Sequence, residues 1–120
     1  EGLQMADPPA GIKVYGDGEQ TRDFTFVQDA IDANLSTLRS DCVGQVFNIG
    51  GGTRAKLSGI IQIMQEVVGK QALLSHETVQ KGDVGHTAAD ISKAQRTLGY
   101  SPKISLKDGI QKEHEWLLGL

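Results

Sequence analysis

The sequence predicts a mixed α/β fold, because short apolar runs alternate with stretches whose apolar residues recur at helical spacing. The extended runs lie at 12–15, 22–27 and 45–50, and helical spacing follows at 28–39 and again after residue 56. These signals give the order hairpin, helix, strand, helix, strand, helix, helix. The strands are few and their faces would be incompletely covered, which is typical of part of a larger sheet.

The first predicted element is a β-hairpin. Its two extended runs, IKVY and RDFTFV, are separated by GDGEQ, whose two glycines can take the positive φ angles of a hairpin loop. A helix over about 28–39 follows, with Asp29 in its first turn, where the helix dipole favours a negative charge. Residues at helical spacing form its stripe: Val27, Ala30, Ile31, Asn34, Leu35 and Leu38.

The middle of the chain predicts a buried strand followed by an amphipathic helix. QVFNIG at 45–50 is short and apolar without strict alternation, which indicates a parallel-sheet strand covered on both faces. The next helix has Gly69 as its C-terminal stop. Its apolar stripe consists of Leu57, Ile60, Ile61, Met64, Val67 and Val68. LLSHETV, at 73–79, can form another strand.

Two shorter helices with recognisable ends complete the chain. Asp90 is placed to cap the first of them, which ends at Gly99. Ser105 and Asp108 have the spacing of a capping box for the last helix. Apolar residues follow each cap at helical spacing: Ile91, Ala94 and Leu98 in one helix, and Leu106, Ile110 and Leu117 in the other.

Composition and charge argue against several classes of protein. The net charge is −3 and no Lys/Arg stripe occurs, so the footprint of a nucleic-acid binder is missing. No apolar stretch approaches the roughly 20 residues that cross a bilayer, and residues 1–10 lack a signal-peptide pattern. The single cysteine, Cys42, is interpreted as inert and suits a reducing cytoplasm. The three histidines are too dispersed for a local metal site, so none is expected.

One glycine motif permits two interpretations. Gly50, Gly52 and Ala55 match GxGxxA between a predicted strand and a helix, the context of a dinucleotide-binding turn. However, the match is short, the position near Ala55 offers no capping hydroxyl or amide, and only Glu77 is available as an acidic ribose partner. We therefore favour a tight connection that glycine permits over an NAD site.

Two glycine-bearing loops carry candidate binding residues. In YGDGEQTRDF, the loop brings Gln20 and Arg22 to the rim of the predicted hairpin, where a guanidinium can bind diphosphate oxygens bidentately. A surface ion pair of Arg22 with Asp23 or Asp29 is the alternative. In GDVGHTAAD, Asp83 can accept hydrogen bonds from ribose hydroxyls or simply hold its own turn, and the residues alone favour the turn.

The sequence offers no catalytic constellation. No carboxylate pair is placed for general acid and base chemistry, and no serine lies in a GxSxG elbow. Tyr15 and Tyr100 lack a lysine four residues downstream, so neither forms the YxxxK pair in which an ammonium lowers the pKa of a tyrosine base. We expect no catalytic residue among these 120.

Three segments in order, YGDGEQTRDFTFVQDAIDANL, GQVFNIGGG and KGDVGHTAADISKAQRTLGYSPKISLKDGIQKEHEWL, resemble the C-terminal part of NDP-sugar 4-epimerases. These enzymes belong to the NAD-dependent epimerase/dehydratase family of extended short-chain dehydrogenases. The likeness runs from about Lys13 to Leu117. It implies that residues 1–120 are the sugar-nucleotide-binding portion of a Rossmann-type enzyme whose NAD-binding half is missing. It also assigns QVFNIG to the NAD-binding sheet, and the hairpin and LLSHETV to a small substrate domain.

The resemblance also implies roles for individual residues. Arg22 would contact the nucleotide diphosphate and Asp83 the ribose, while Thr87, four residues further on, would lie against the sugar. The arginine of the family's RxGD motif is replaced by Gln80, with Lys81 beside it as a substitute, which implies reduced affinity.

The implied whole enzyme oxidises a nucleotide-bound sugar at C4 with NAD and returns the hydride to the opposite face. Its partner is a nucleotide sugar, typically a UDP-hexose or its N-acetylated form. These residues alone are expected to bind no cofactor, to be inactive, and to self-associate through the unpaired strand at 45–50.

Gly85 and Ala55, in place of the usual arginine and hydroxyl cap, suggest a divergent member. The alternatives are a stand-alone binding or interaction module without catalysis, or the same part of a dehydratase or decarboxylase.

Overall fold

The computed structural model describes residues 11–120, which form four short strands and four helices. In chain order these are β1 Ile12–Tyr15, β2 Thr21–Arg22, α1 Val27–Thr37, β3 Ala55–Lys56, α2 Leu57–Val68, β4 Leu74–Glu77, α3 Ser92–Leu98 and α4 Leu106–Leu118. The predicted α/β class is confirmed. The first ten residues, for which the sequence predicts no signal peptide, lie outside the described range. No helix within 11–120 has the length and apolar character needed to span a membrane.

The strands form two separate pairs. β1 pairs in parallel with β4, with Ile12 opposite Leu74, so the predicted strand within LLSHETV is confirmed. β2 pairs with β3 in the antiparallel direction, with Arg22 opposite Ala55. Neither pair joins β1 to β2, so the predicted hairpin is wrong.

The loop between β1 and β2 explains why no hairpin forms. Gly16 and Gly18 do take left-handed φ angles, of +92° and +82°. However, the carbonyls of Gly18 and Gln20 accept hydrogen bonds from the backbone N–H groups of Ser58 and Leu57, both at 2.9 Å. Because the first turn of α2 uses these carbonyls, the chain turns toward α2 instead of folding back on β1.

The segment at 45–50 forms no β-strand, contrary to the prediction. Phe47 and Ile49 pack against a small core formed by Ala33, Ile91, Ala94 and Tyr100. Val46 is 81% exposed. A strand requires a neighbour to pair its N–H and C=O groups, and no strand described between 11 and 120 lies beside this segment.

The predicted helices are confirmed, but the buried face of α1 is not its apolar stripe. Asp29 and Ala33 are 3% and 2% exposed, and α1 packs against α3. In contrast, four stripe residues are between 43% and 82% exposed: Val27, Ile31, Leu35 and Leu38. The stripe of α2 is at least half-buried throughout, with Ile60 and Ile61 fully buried and α4 packed against this helix.

The predicted helix ends at Gly69, Gly99 and Ser105 are confirmed, whereas the residue that precedes α3 as its cap is Ile91 and not the predicted Asp90. Gly69 and Gly99 end α2 and α3 with φ angles of +75° and +65°, which glycine adopts readily. The Asp90 carboxylate accepts bonds from the backbone N–H and hydroxyl of Ser92, and these bonds hold its pKa below the usual value. At α4, the Ser105 hydroxyl oxygen accepts from the backbone N–H of Asp108 at 3.1 Å.

Candidate functional site

β2 lies between β3 and the glycine-bearing loop at 82–90. The backbone N–H of Thr21 donates to the carbonyl of Gly85 at 2.9 Å, and the N–H of Thr87 donates to the carbonyl of Thr21 at 3.2 Å. The Thr21 hydroxyl also bonds with Nδ1 of His86 at 2.8 Å. These bonds hold the loop along one edge of β2 and bring distant sequence positions together.

The two principal site residues predicted from the sequence meet at this edge. Nη2 of Arg22 lies 2.7 Å from Oδ1 of Asp83, although 61 positions separate the two residues. Nη1 of Arg22 donates to the carbonyls of Thr21 and Gly85, at 2.8 and 3.4 Å. Both charged side chains remain 31% exposed. The surface ion pair that the sequence offered as an alternative therefore has a different partner from either Asp23 or Asp29.

Hydrogen-bond capacity remains on both members of this pair. A guanidinium has five N–H donors, and the bonds of Arg22 within the described chain use three of them. In Asp83, only the Oδ1 oxygen bonds to Arg22. The Oδ2 oxygen forms no side-chain hydrogen bond within 11–120. The pair can therefore hold its own geometry and still bind an anion at the guanidinium and a hydroxyl at the carboxylate.

The remaining predicted site residues lie in the 82–90 loop, for Thr87, or immediately before it, for Gln80 and Lys81. The carbonyl of Gln80 accepts from the backbone N–H of Asp83 at 3.1 Å, so the turn is closed by the backbone. The carboxylate of Asp83 pairs with Arg22 instead of holding the turn, the role that the residues alone favoured. Lys81 is exposed and forms no ion pair with the residues described. Thr87 is fixed through its backbone to Thr21. The structure thus brings Arg22, Asp83 and Thr87 into one bonded unit and leaves Lys81 at its rim.

A cavity of about 220 Å³ adjoins Asp83. Its polar lining comes from both glycine-bearing loops and includes Tyr15, Asp17, Glu19, Gln20, Asp83 and His86. Gln20, a predicted rim residue, donates through Nε2 to the carbonyl of Tyr15 at 2.9 Å. A larger groove of about 590 Å³ lies between the start of α1 and α4, and aromatic and aliphatic side chains predominate in its lining. The smaller cavity borders Asp83, whereas Arg22 and Thr87 do not line it, so we place the candidate site at the Arg22–Asp83 pair beside this cavity.

Asp23 is a residue whose role the sequence did not reveal. Its Oδ1 accepts the backbone N–H of Gly51 at 2.7 Å, and its Oδ2 accepts that of Ala89 at 3.4 Å. A Cβ at Gly50 would lie 2.5 Å from Oδ2, and a Cβ at Gly51 would collide with the carbonyl oxygen of Phe24. The glycine run is therefore required by close approach to the protein's own atoms.

The same contacts decide between the two interpretations of GxGxxA. A dinucleotide turn needs space for a pyrophosphate beside the glycines and free N–H groups at the start of the helix. Here the side chain of Asp23 fills the space beside Gly50 and Gly51, and the carbonyls of the β1–β2 loop accept from Leu57 and Ser58. NAD does not fit at this position, and the tight glycine connection is the better description.

Two further buried polar side chains hold backbone segments outside β2 and the 82–90 loop. Asp29 is buried and accepts the backbone N–H groups of Lys103 and Ile104, at 3.0 and 3.4 Å. The hydroxyl of Tyr100 donates to the carbonyl of Gly50 at 2.7 Å. Burial, together with the charges of Asp29 and Asp23, raises the pKa of Tyr100, so the hydroxyl remains a donor at neutral pH. Asp29 lies outside the apolar stripe of α1, so the helical pattern gave no signal for its burial.

No group of three or more His, Cys, Asp or Glu residues within 11–120 is arranged to hold a metal ion.

The fold and site define a class of protein: an α/β chain in which an arginine on a short strand pairs with an aspartate on the neighbouring loop. The family described as GDP-mannose 4,6 dehydratase matches residues 4–113, and the chain belongs to it. The resemblance inferred from the sequence is thereby confirmed.

Several proteins that are similar to this chain have names that refer to UDP-glucuronate. The UDP-glucuronate 4-epimerase of Thermodesulfobacterium geofontis is 36% identical over 88% of this chain and 32% of its own length. UDP-glucuronic acid decarboxylase 1 of Arabidopsis thaliana is 33% identical over 84% of this chain and 23% of its own. The structure of the Bacillus cereus UDP-glucuronic acid 4-epimerase with UDP-glucuronic acid and NAD superposes with a TM-score of 0.85 at 37% identity, covering 91% of this chain and 35% of that one. The chain spans about a third of the length of the relatives it matches first.

Proposed function

We propose that this chain is the nucleotide-sugar-binding part of an NAD-dependent epimerase that inverts C4 of a UDP-sugar. The observation that carries the proposal is the Arg22–Asp83 pair, in which the residues assigned to the diphosphate and to the ribose lie 2.7 Å apart. The similarity to two UDP-glucuronate 4-epimerases supports a UDP-linked hexose or hexuronate as the substrate.

The chemistry of the pair suits such a ligand. The two uncommitted N–H groups of Arg22 can bind two oxygens of a diphosphate, and the free Oδ2 of Asp83 can accept from a ribose hydroxyl. The overall charge of the chain is −3, so attraction of an anion must come from local positive charge. Lys81, exposed immediately before the 82–90 loop, would supply part of that charge in place of the family arginine that Gln80 replaces.

The sugar would lie beyond the nucleotide, toward Thr87. Its backbone N–H is bonded to Thr21, which fixes its distance from Arg22 along β2. A side chain as small as threonine leaves room for a substituted hexose. Thr87 would thus contact the sugar, and Gln80 and Lys81 would border the nucleotide.

The domain organisation follows from which surfaces remain uncovered. We assign β1, β2 and β4, which lie in the predicted hairpin segment and in LLSHETV, to a small substrate domain, and we assign the 45–50 segment with its flanking helices to the NAD-binding sheet of the whole enzyme. The exposed stripe of α1 and the absence of a strand partner for 45–50 in the described chain support this assignment. Neither GxxGxxG nor YxxxK occurs in the 120 residues, so NAD and the tyrosine base would belong to that other part. The same enzyme would work in the cytoplasm, as the free, buried Cys42 suggests.

A decarboxylase is the second candidate, and the similarity to a plant UDP-glucuronic acid decarboxylase favours it. Both reactions begin with oxidation of the same type of nucleotide sugar at C4. The Arg22–Asp83 pair would therefore perform the same task in either enzyme. Incubating the whole enzyme with UDP-glucuronate distinguishes the two, because only a decarboxylase releases CO₂.

The binding role is tested by calorimetry with UDP-glucuronate. We expect Arg22→Ala to weaken binding by roughly 1.5–3 kcal/mol, about 10- to 150-fold, which is the usual worth of a hydrogen bond to a charged group. Arg39→Ala is the matched control, because it removes the same charge from an exposed position that forms no ion pair with the described residues. Unchanged affinity in Arg22→Ala, or no binding by the unaltered chain, would contradict the proposal.

A further inference from the structure

Three consecutive residues of the chain hold the 82–90 loop. Thr21 bonds to it through its backbone, and Arg22 bonds to Asp83 near its beginning. Asp23 bonds to the N–H of Ala89 near its end. The loop that supplies Asp83 is therefore fastened at three points by residues 21–23.

Asp23 differs from the other two because it also holds a third segment. Its second carboxylate oxygen accepts the N–H of Gly51 at 2.7 Å, and two glycines in succession leave space for it. A carboxylate that accepts two backbone N–H groups makes charge-assisted bonds, which are stronger than neutral ones. Asp23 thus joins the glycine run, the strand that carries Arg22 and the loop that carries Asp83.

We propose that Asp23 is a positioning residue that sets the geometry of the Arg22–Asp83 pair, an inference that rests on the proposed nucleotide-binding function. The side chain of Asp23 forms no hydrogen bond or ion pair with the side chain of Arg22 or Asp83. It acts by fixing the backbones on either side of β2. An uncharged amide at position 23 has only one acceptor oxygen, so one of the Gly51 and Ala89 N–H groups loses its partner. The end of the loop then separates from β2, and Arg22 loses its fixed partner.

The chain contains a matched control for this role. Asp29 is also a carboxylate that accepts two backbone N–H groups from a distant segment, those of Lys103 and Ile104. Its bonds hold the entry to α4 and touch neither β2 nor the 82–90 loop. Asp29→Asn therefore removes an equivalent structural clamp and leaves the scaffold of the pair in place.

The first experiment needs no ligand. Hydrogen exchange and NMR of the Arg22 guanidinium are compared in the unaltered chain, in Asp23→Asn and in Asp29→Asn. We expect Asp23→Asn to accelerate exchange at Thr21 and Thr87 about tenfold, and to abolish the slowed rotation of the guanidinium. Asp29→Asn should accelerate only residues 103 and 104. An unchanged Arg22 signal in Asp23→Asn, or the same change in both variants, would overturn the proposal.

A measurement on the unaltered chain covers the case in which Asp23→Asn does not fold. Exchange followed at increasing, low denaturant concentration groups amides that open together. If Asp23 couples the segments, the amides of Thr21, Gly51, Thr87 and Ala89 open in one step. Separate opening of Gly51 and Ala89 from the other two would refute the coupling.

The second experiment adds UDP. We expect Asp23→Asn to weaken UDP binding about tenfold and Asp29→Asn to leave it unchanged at a temperature where both variants are folded. Equal loss in both variants would reduce Asp23 to a general structural role. If the unaltered chain binds no UDP, the proposed function fails, whereas the exchange experiment still decides whether Asp23 positions Arg22.

Discussion

Carboxylates and glycines fix this structure at the scale of single residues. Asp23 and Asp29 both accept backbone N–H groups from segments more than 25 positions away along the chain. Neither forms an ion pair with a residue described in 11–120, although an ion pair with Arg22 was the sequence-based alternative for both. An acidic side chain gives no indication in sequence of which donor it will meet, because the donor is a backbone N–H that every residue except proline has.

The glycine run offers a direct test of this close packing. We expect Gly51→Ala to lower the free energy of unfolding by about 1–3 kcal/mol, because the new Cβ meets the carbonyl of Phe24 and the carboxylate of Asp23. Gly59→Ala should raise it by about 0.5–1 kcal/mol, since Gly59 lies inside α2 with nothing within 4 Å of an added Cβ. Urea denaturation of both variants measures the difference. Equal effects at the two glycines would contradict the packing described.

At the scale of elements, the helices are largely local and the strands are not. Helical spacing predicted all four helices, and end signals at Gly69, Gly99 and Ser105 marked three of their ends, because such signals lie within a dozen positions of one another. β1 pairs with β4, which lies about 60 residues further along the chain. The two strands are parallel, and a hairpin signal can indicate only an antiparallel pair. The loop that predicts a hairpin has the right glycines, but its carbonyls are used by α2.

The orientation of α1 gives a prediction at this scale. We expect Leu35→Gln to change the free energy of unfolding by no more than about 0.5 kcal/mol, because Leu35 is 44% exposed on the outer stripe. Ala33→Leu should lower it by about 1–3 kcal/mol, because Ala33 is packed in the core between α1 and α3. Thermal unfolding of the dilute chain separates the two. Strong destabilisation by Leu35→Gln alone would mean that the stripe faces the core.

The described chain is flattened and elongated, with unequal extents along its three principal axes. Its radius of gyration is 17.0 Å and its extents are 55 × 36 × 19 Å, whereas a compact domain of this length has a radius of about 14 Å. A flat chain covers little of its own apolar surface, and the stripe of α1 is an example. The similar proteins are about three times as long, which agrees with a chain whose surfaces are completed elsewhere.

Self-association is the first prediction for the whole molecule. The 45–50 segment has no strand partner within 11–120, and Val46 and the stripe of α1 are exposed. Another copy can cover these apolar side chains, at roughly 25 cal/mol for each Å² of apolar surface buried. We therefore expect dimers at micromolar concentration in sedimentation velocity. Val46→Lys should weaken them, because Val46 is exposed in this segment. A clean monomer at the highest concentration reached, with slow amide exchange throughout 45–50, would show that the chain closes its own core.

The second prediction for the whole molecule concerns chemistry. The purified 120-residue chain should retain no NAD and convert no UDP-sugar, because YxxxK and GxxGxxG are absent from its sequence and its glycine run has no space for a dinucleotide. Denaturation followed by chromatography detects released NAD, and NMR of UDP-glucuronate detects inversion at C4. Stoichiometric NAD or measurable turnover would contradict the division of tasks proposed above.

The sequence by itself determined the α/β class, the family, the four helices with their ends at Gly69, Gly99 and Ser105, and the presence of a strand within LLSHETV. These features depend on residues close together in the chain, or on motifs in a fixed order. Only the tertiary structure decided that β1 pairs with β4, that 45–50 forms no strand, and that Arg22 meets Asp83 and not Asp23. Such pairings are chosen by competition among many donors, acceptors and strand edges distributed along the chain. Which pairs form depends on where the folded backbone places these groups, and the local sequence pattern does not contain that information.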